Sequence, residues 1–349
     1  MRNNRSQFRP KNHPHEHFLI TTVVGSYPKP KWLQNEREAY RTKSDRISHE
    51  RYLEAKKDAS AIMIKEHENI GLDVVSDGEM RRNEMIEYFA ERIGGYEFNG
   101  PVKVWGHNYF DKPSVVEKVT YGESWLTEEY KFNKKIAERP IKVPITGPYT
   151  LANWSFNEFY KEEEELAYDL AKLVNKEIKN LVSAGARYIQ IDEPALATTP
   201  EDHRVVRECL DTITKKISKD VLIGLHVCYG DYSRIFPEII DYPVDEFDVE
   251  LANGNYNQLD VFKQVPFTKD IGFGVIDVHD SRIESVEEIK NRIAKGLEIV
   301  PPSRLTISPD CGMKLLPREV AYKKMQNMVI ATRSIEEDLD NGIIESIAD

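Results

Sequence analysis

Residues 157–194 read NEFYKEEEELAYDLAKLVNKEIKNLVSAGARYIQIDEP, and this stretch decides the fold class. Its first part spaces apolar residues three and four positions apart, which predicts an amphipathic helix that ends near Gly185. The apolar positions are Leu166, Leu170, Leu173, Val174, Ile178 and Leu181. The second part, residues 188–191, is a short β-branched and aromatic run typical of a buried strand. A long helix followed by a buried strand is the repeating unit of an α/β protein with a parallel sheet.

The same alternation continues on both sides of this stretch. The candidate strands are Leu19–Val24, Asp73–Val75, Ile141–Thr146, Tyr188–Ile191, Val221–Leu225, Glu246–Val249, Gly272–Ile276 and Arg304–Ile307. About eight strand–helix units predict a closed sheet, so we expect an α/β fold with a single (β/α)8 TIM barrel. Residues 95–140 carry Gly, Pro and aromatic residues with weak periodicity, which indicates an insertion in the barrel.

Bulk composition narrows the class of protein. The chain has 349 residues, a net charge of −11 and three cysteines, which argues against nucleic-acid binding and against a disulfide framework. Residues 1–18 are basic and polar and lack the apolar segment of a signal peptide, so we expect a flexible N-terminal tail. Residues 19–349 would form the catalytic barrel domain. No apolar run is long enough to span a bilayer, and we expect a cytoplasmic protein.

Polar residues follow the candidate strands, at the rim where parallel barrels carry their active sites. They combine carboxylates, imidazoles, thiols and small residues: Gly25-Ser26, Asp77 and Glu79, Thr146-Gly147, Asp192-Glu193, His226 and Cys228, Glu250, Asp277 and His279, and Asp310-Cys311. Core packing alone does not predict this sorting.

Four of these residues are of the types that zinc binds: His226, Cys228, Glu250 and Cys311. The two-residue spacing of His226 and Cys228 puts both side chains on one side of an extended segment. Two thiolates and a carboxylate would leave a zinc site net negative, which favours alkyl transfer to a sulfur that joins the metal. The residues alone leave another interpretation open, in which His226 and Cys228 face different ways in the core and Glu250 caps a helix.

Longer motifs carry a family resemblance. The segments TTVVGSYP, SDGEMRRNEMIEYF, PITGPYTLANWSF, IQIDEPAL, LHVCYG, GVIDVHDSRIESVEEI and LTISPDCGMK occur in this order between about residues 20 and 335. With them the chain resembles the catalytic C-terminal domain of the cobalamin-independent methionine synthase family, and in form its short single-barrel members from archaea and some bacteria. The resemblance implies a Zn2+ cofactor and transfer of a methyl group to the thiol of L-homocysteine, giving L-methionine.

The resemblance also implies residue roles. The zinc ligands would be His226, Cys228, Glu250 and Cys311. Homocysteine would be held by Val24, Gly25, Ser26, Glu79 and Asp192, since carboxylates suit its ammonium and a turn suits its carboxylate. His279 would be the acid that protonates the departing methyl carrier. Trp154 would lie beside the methyl donor.

Two departures from the family concern the methyl donor. Full-length members carry a second, N-terminal barrel that helps to bind folate polyglutamate, and we expect none in this chain. The family's folate-binding Arg-Cys pair corresponds to Asn108 and Tyr109 within WGHNYFDKP. Both departures favour methylcobalamin or a methylated corrinoid protein over folate polyglutamate as the donor.

Three alternatives remain open at this point. The first is a homocysteine methyltransferase that uses methyl-tetrahydrofolate. The second is a zinc alkyltransferase for another thiol such as coenzyme M, whose sulfonate Glu79 and Asp192 would disfavour. The third is a non-catalytic zinc- or corrinoid-binding protein, which would not need His279.

Overall fold

The computed structural model describes residues 5–43, 47–105, 108–228, 230–264 and 266–346, with the backbone alone for 103–105 and 108–110. The strands are β1 Ile20–Thr21, β2 Ile93–Trp105, β3 Asn108–Tyr121, β4 Lys142–Thr146, β5 Phe156–Asn157, β6 Tyr188–Asp192, β7 Leu222–Val227, β8 Glu246–Val249, β9 Asp270–Ile276 and β10 Leu305–Pro309. The α-helices are α1 Lys31–Arg41, α2 His49–Ile70, α3 Glu87–Ala90, α4 Thr127–Ile136, α5 Pro148–Asn153, α6 Glu163–Ala184, α7 Pro194–Thr198, α8 His203–Ile213, α9 Val286–Leu297 and α10 Arg318–Asp340. Short 3-10 helices span Arg5–Phe8, Pro200–Asp202, Tyr232–Arg234, Glu238–Asp241, Leu259–Lys263 and Pro302–Arg304.

Seven parallel strands form one curled sheet in the order β1-β10-β9-β8-β7-β6-β4. Residues 73–75 fill the gap between its two edges. On one side Val74 N donates to Thr21 O at 3.1 Å, and on the other Lys142 N donates to Val75 O at 2.9 Å. This short eighth segment closes the sheet, which confirms the predicted (β/α)8 barrel.

The outer layer follows the helical periodicity of the sequence. Helix α6 has three glutamates in its first turn, where the positive end of the helix dipole favours them, and its apolar stripe is buried. It ends at Gly185, whose φ of 102° is the left-handed conformation that caps a helix at low cost. After β7 and β8 the described connections contain only short 3-10 helices. None of the helices in the described ranges is both long and apolar enough to cross a membrane.

The insertion is narrower than the predicted residues 95–140. Strands β2 and β3 form a long antiparallel hairpin, and β5 joins it through the pairing of Ser114 with Phe156. Helix α4, by contrast, packs between α2 and α6 as an ordinary barrel helix. Its acidic first turn and basic last turn complement the helix dipole, a signal that the sequence analysis did not use.

The described part of the expected flexible tail is packed under the barrel. Arg5 inserts its guanidinium at the N-terminal end of the strands and pairs with Glu246 at 2.6 Å. It also donates to Leu305 O at 2.9 Å and Thr306 Oγ1 at 2.8 Å. Glu246 is fully buried, and an unpaired buried carboxylate is costly. The segment is therefore held by charge pairing that its local composition did not indicate.

We predict that Arg5→Ala lowers the free energy of unfolding by about 3 kcal/mol, because Glu246 would stay buried without its cationic partner. Chemical denaturation of the two proteins measures the difference. Arg9→Ala is the matched control, since the hydrogen bonds of Arg9 to the described residues go to exposed carbonyl groups of His15 and Glu16. Equal stability of Arg5→Ala and the parent protein would contradict this role for the N-terminal segment.

Candidate active site

One imidazole and two thiols meet at the C-terminal rim of the barrel. His226 lies near the end of β7, Cys228 follows that strand, and Cys311 follows β10. Their possible ligand atoms all lie within 4.8 Å of one another. The barrel's curvature brings β7 and β10 together, although β8 and β9 separate them in the sheet.

The donor set fits a soft metal ion. His226 is buried, and neither of its ring nitrogens makes a hydrogen bond to an oxygen or nitrogen of the described residues. A hydrogen bond from Cys228 holds the pKa of the Cys311 thiol well below its usual range, whereas sharing its proton raises the pKa of Cys228. Burial alone would lower the pKa of His226, but the proximity and negative charge of Cys311 raise it to about 9. Thiolate and imidazole are ligands that zinc accepts.

Glu250, the fourth predicted ligand, lies outside this three-residue group. Its carboxylate is nearly buried and faces the ring of His279, with Oε1 3.8 Å from Nε2. Asn253 Nδ2 donates to the same oxygen at 2.8 Å. Glu250 and His279 are therefore neighbours at the rim, and the His279 side chain is 34% exposed.

Two buried side chains position the segment that carries Glu250. Asp310 accepts hydrogen bonds from the backbone N–H groups of Leu251 at 3.0 Å, Ala252 at 2.9 Å and Asn253 at 2.7 Å. The hydroxyl of Tyr232 donates to Val227 O and accepts from the N–H of Glu250, both at 2.8 Å. These bonds connect the ends of β7, β8 and β10, which carry the metal-ligand candidates.

Most of the residues predicted to hold homocysteine lie in the turn after β1 and in the turn of residues 76–79. An ideal Cβ at Gly25 would lie 2.8 Å from the Glu79 carboxylate, so only glycine allows that carboxylate to approach the turn. Ser26 O accepts from Met313 N at 2.7 Å, which fixes the turn to the loop of Cys311. Val24 is buried and Ser26 is half-buried. The turn after β1 therefore adjoins both Glu79 and the Cys311 loop.

Glu79 is held in an uncommon backbone conformation. It has a φ of 57°, directly after Gly78 at 62°, and strained residues of this kind concentrate at functional sites. The N–H of Glu79 donates to Asp77 Oδ1 at 3.0 Å. Arg82 lies 3.5 Å from the Glu79 carboxylate and donates to Pro144 O at 2.7 Å, so it is Arg82 that pairs with Glu79.

Asp192 ends β6 beside His226, its register partner on β7. Burial raises the pKa of the Asp192 carboxyl to about 7, although the positive charge of His226 opposes the rise. Gln190 Nε2 donates to Asp192 Oδ1 at 2.6 Å. The adjacent Glu193 has a structural role instead. Its carboxylate accepts hydrogen bonds from Thr150 N at 2.7 Å and Tyr149 N at 3.1 Å and so caps α5.

The predicted donor-side residues are less fully defined. Trp154 is the C-cap residue of α5 and is half-buried against the core. Asn108 and Tyr109 belong to the backbone of β3, and their side chains lie outside the described part of the chain.

Three positioning residues had no role predicted from the sequence. Asp310 was among the strand-end residues but received no role, and Arg82 was assigned none either. The role of Tyr232 could not be predicted, because a tyrosine in an irregular loop has no periodicity or spacing that indicates its partners.

The fold and the site define a barrel whose rim could hold a metal ion among thiols, imidazole and carboxylates. Residues 19–334 match the family described as "Cobalamin-independent synthase, Catalytic domain". The chain therefore belongs to the cobalamin-independent methionine synthase family of methyltransferases.

Curated relatives support this membership over nearly the whole chain. Proteins named methionine synthase from Saccharolobus solfataricus and Sulfurisphaera tokodaii are each 47% identical. The alignments cover 92% of this chain and 96% of the first relative, and 93% and 94% for the second. A B12-independent methionine synthase from a Shewanella species, solved with selenomethionine, superposes with a TM-score of 0.82 at 27% identity and covers 92% of this chain and 98% of its own.

We predict that Asp310→Asn lowers the free energy of unfolding by about 2 kcal/mol, because an amide nitrogen would face a buried backbone N–H where an oxygen now accepts. Asp280→Asn serves as the control at an exposed position on the same face. Thermal and chemical denaturation of both variants measure the effect. An Asp310→Asn protein as stable as its control would show that these three bonds do not secure the loop.

Proposed function

We propose that this protein transfers a methyl group to the thiol of L-homocysteine, forming L-methionine, with zinc as its cofactor and a methylated corrinoid as the donor. The observation that carries the proposal is the group of His226, Cys228 and Cys311 within 4.8 Å at the rim. Family membership supports the reaction, and the ligand types support zinc over harder ions.

Zinc held by His226, Cys228, Glu250 and Cys311 would lower the pKa of a thiol that joins it and keep that thiol ionised at neutral pH. Glu250 lies outside the close group, so it is the ligand best placed to yield to an incoming sulfur. Its bond from Asn253 and its proximity to His279 would hold it nearby when it does so.

The chain's own residues would orient the amino acid. Glu79 and Asp192 offer two carboxylates for the ammonium group, and a cation between them would stabilise the ionised form of the buried Asp192. The turn of Gly25 and Ser26 offers backbone N–H and hydroxyl donors to the carboxylate. A thiol with a sulfonate and no ammonium would meet two negative charges here, which disfavours coenzyme M as the substrate.

The methyl transfer forms a C–S bond as the bond from the methyl carbon to its carrier breaks. The homocysteine thiol loses its proton to water before the attack. With a corrinoid donor the electron pair of the broken bond stays on cobalt, which becomes Co(I), and the carrier needs no proton. With methyl-tetrahydrofolate the pair stays on N5, which must be protonated, and His279 would supply that proton.

The replacement of the family's Arg-Cys pair by Asn108 and Tyr109 supports a corrinoid donor over a folate. Methionine formation should therefore be faster with methylcobalamin than with mono- or polyglutamylated methyl-tetrahydrofolate, measured at equal donor concentration with saturating homocysteine. Faster turnover with either folate would overturn the donor assignment and leave homocysteine methylation intact.

We predict that the purified protein holds about one zinc per chain and that Cys311→Ala loses both the metal and methionine formation. Cys209→Ala is the matched control, because Cys209 is a buried thiol in α8 outside the metal-binding group. Metal analysis after dialysis and an assay of methionine measure the two outcomes. A Cys311→Ala protein with full zinc and activity would refute the metal site.

We also predict that His279→Gln slows transfer from methyl-tetrahydrofolate by about 100-fold and slows transfer from methylcobalamin much less, because only the folate nitrogen needs a proton. Single-turnover rates with each donor measure the two effects, and His203→Gln provides a control at a histidine of α8 that has no assigned role in the site. An equal loss with both donors would instead assign His279 a role in homocysteine or metal binding.

A further inference from the structure

A cationic groove lies beside the site, between α1 and the loop that follows Cys311. Its cavity volume is about 630 Å3. The charged residues along it are Lys29, Arg37, Arg41 and Lys314, with Glu38 as the one acid. A positive local balance of this kind contrasts with the chain's net charge of −11. We call this surface the cationic groove.

The positive charges of the groove are poorly neutralised. Arg37 and Lys314 make no hydrogen bond or ion pair with any residue in the described ranges. Arg41 pairs with Glu38 at 3.3 Å, but both side chains are more than half exposed, where such a pair contributes little. Lys29 donates to the carbonyl oxygen of Glu79 at 3.1 Å. Arg37 and Lys314 are thus two cations of the groove without a bonded partner among the described residues.

The groove adjoins the candidate active site at two points. The bond from Lys29 reaches the backbone of Glu79, which is predicted to bind the ammonium of homocysteine. Lys314 follows Cys311 by three residues, on the loop that the bond from Met313 to Ser26 fixes to the first turn. An anion in the groove would therefore lie at the edge of the metal-binding rim.

At its other end the groove continues toward the β2–β3 hairpin. Arg37, Arg41 and Asn83 also line a neighbouring cavity of about 500 Å3, which reaches Pro101 and Asp111 of the hairpin. The hairpin carries the segment that corresponds to the family's donor-binding pair. Because the two cavities share these three lining residues, they adjoin each other between the loop of Lys314 and the hairpin on the predicted donor side.

The electrostatics of Lys29 agree with an anion at this position. Burial, with smaller contributions from the charges of Lys314 and Arg37, lowers the pKa of the Lys29 ammonium to about 8, although the charge of Glu79 opposes the shift. An oxyanion among these three cations would relieve their repulsion. Guanidinium and ammonium groups are the usual partners of phosphate and carboxylate.

We propose that the cationic groove binds an oxyanion of the methyl donor, a phosphate or a carboxylate, and thereby holds the donor with its methyl group toward the rim. This inference rests on the proposed function. Methylcobalamin carries a phosphodiester and methyl-tetrahydrofolate carries glutamate carboxylates, so the groove would recognise a chemistry that both donors share. The carboxylate of homocysteine is assigned to the turn of Gly25 and Ser26 in the proposed function, so the groove is left for the donor.

Direct binding tests the groove without any turnover. Inorganic pyrophosphate and triglutamate are the probes, titrated by calorimetry into the wild-type protein, into the double variant Arg37→Gln with Lys314→Gln, and into the control Lys31→Gln, which alters an exposed lysine of α1 outside the groove. The double variant should bind at least one probe about fivefold more weakly, and the control should match the wild type. Equal affinity in all three proteins, or no binding of either probe by the wild type, would overturn the proposal.

Steady-state kinetics then identify which oxyanion the groove serves. Methylcobinamide lacks the phosphodiester of methylcobalamin, and monoglutamyl methyl-tetrahydrofolate lacks the extra carboxylates of the triglutamyl form. The double variant should raise KM about fivefold for the phosphate-bearing or the triglutamyl donor, with kcat unchanged and no effect on its truncated counterpart. An equal rise for complete and truncated donors would refute recognition of the oxyanion. If no donor yields methionine with the wild type, the proposed function is wrong. The calorimetric titrations would still show whether the groove binds an oxyanion.

Discussion

The carboxylate of Asp310 reaches across β9 to three backbone N–H groups that follow β8, and the geometry of the site depends on this contact. It is possible because β9 has glycine at position 274, where a Cβ would lie 2.1 Å from the Asp310 carboxylate. Cys311 is the next residue along the chain, and Glu250 directly precedes the bonded N–H groups. One buried carboxylate thus sets the relation between two metal-ligand candidates that are 61 residues apart in sequence (311 − 250).

The barrel could be predicted from the sequence because its signals are local. Hydrophobic periodicity and short β-branched runs indicate the strands, and the polar residues that follow them indicate the rim. The grouping of His226 with Cys228 needs only the two-residue alternation of a strand. The approach of Cys311 to this pair needs the closed barrel as well, and that closure rests on residues 73–75, which form a single bridge to Ile141.

The features that sequence reasoning missed depend on contacts between distant segments. Arg5 lies in a polar, basic stretch that reads as a tail, and its partner Glu246 is 241 residues away. Tyr232 joins β7 to Glu250 from a loop without periodicity. Helix α4 is short and mostly polar, so its sequence indicates a helix only weakly. Its packing against α2 and α6 stabilises it. In each case tertiary contacts supply the stabilisation that the local sequence does not reveal.

Acidic and basic side chains lie on different sides of the rim. This arrangement would direct the two substrates to different positions. Glu79 and Asp192 would form an acidic side that suits an ammonium, while Lys29 donates to the carbonyl oxygen of Glu79 and lines the groove. A molecule with an ammonium beside its thiol would be attracted to the acidic side and repelled by the cationic groove. A donor with an oxyanion would be attracted to the groove and repelled by the acidic side. The same backbone turn, residues 76–79, supports both sides, because Glu79 offers its carboxylate to one and its carbonyl oxygen to the other. Nucleophile and donor would therefore be drawn to adjacent but different positions, which is the arrangement that in-line methyl transfer requires.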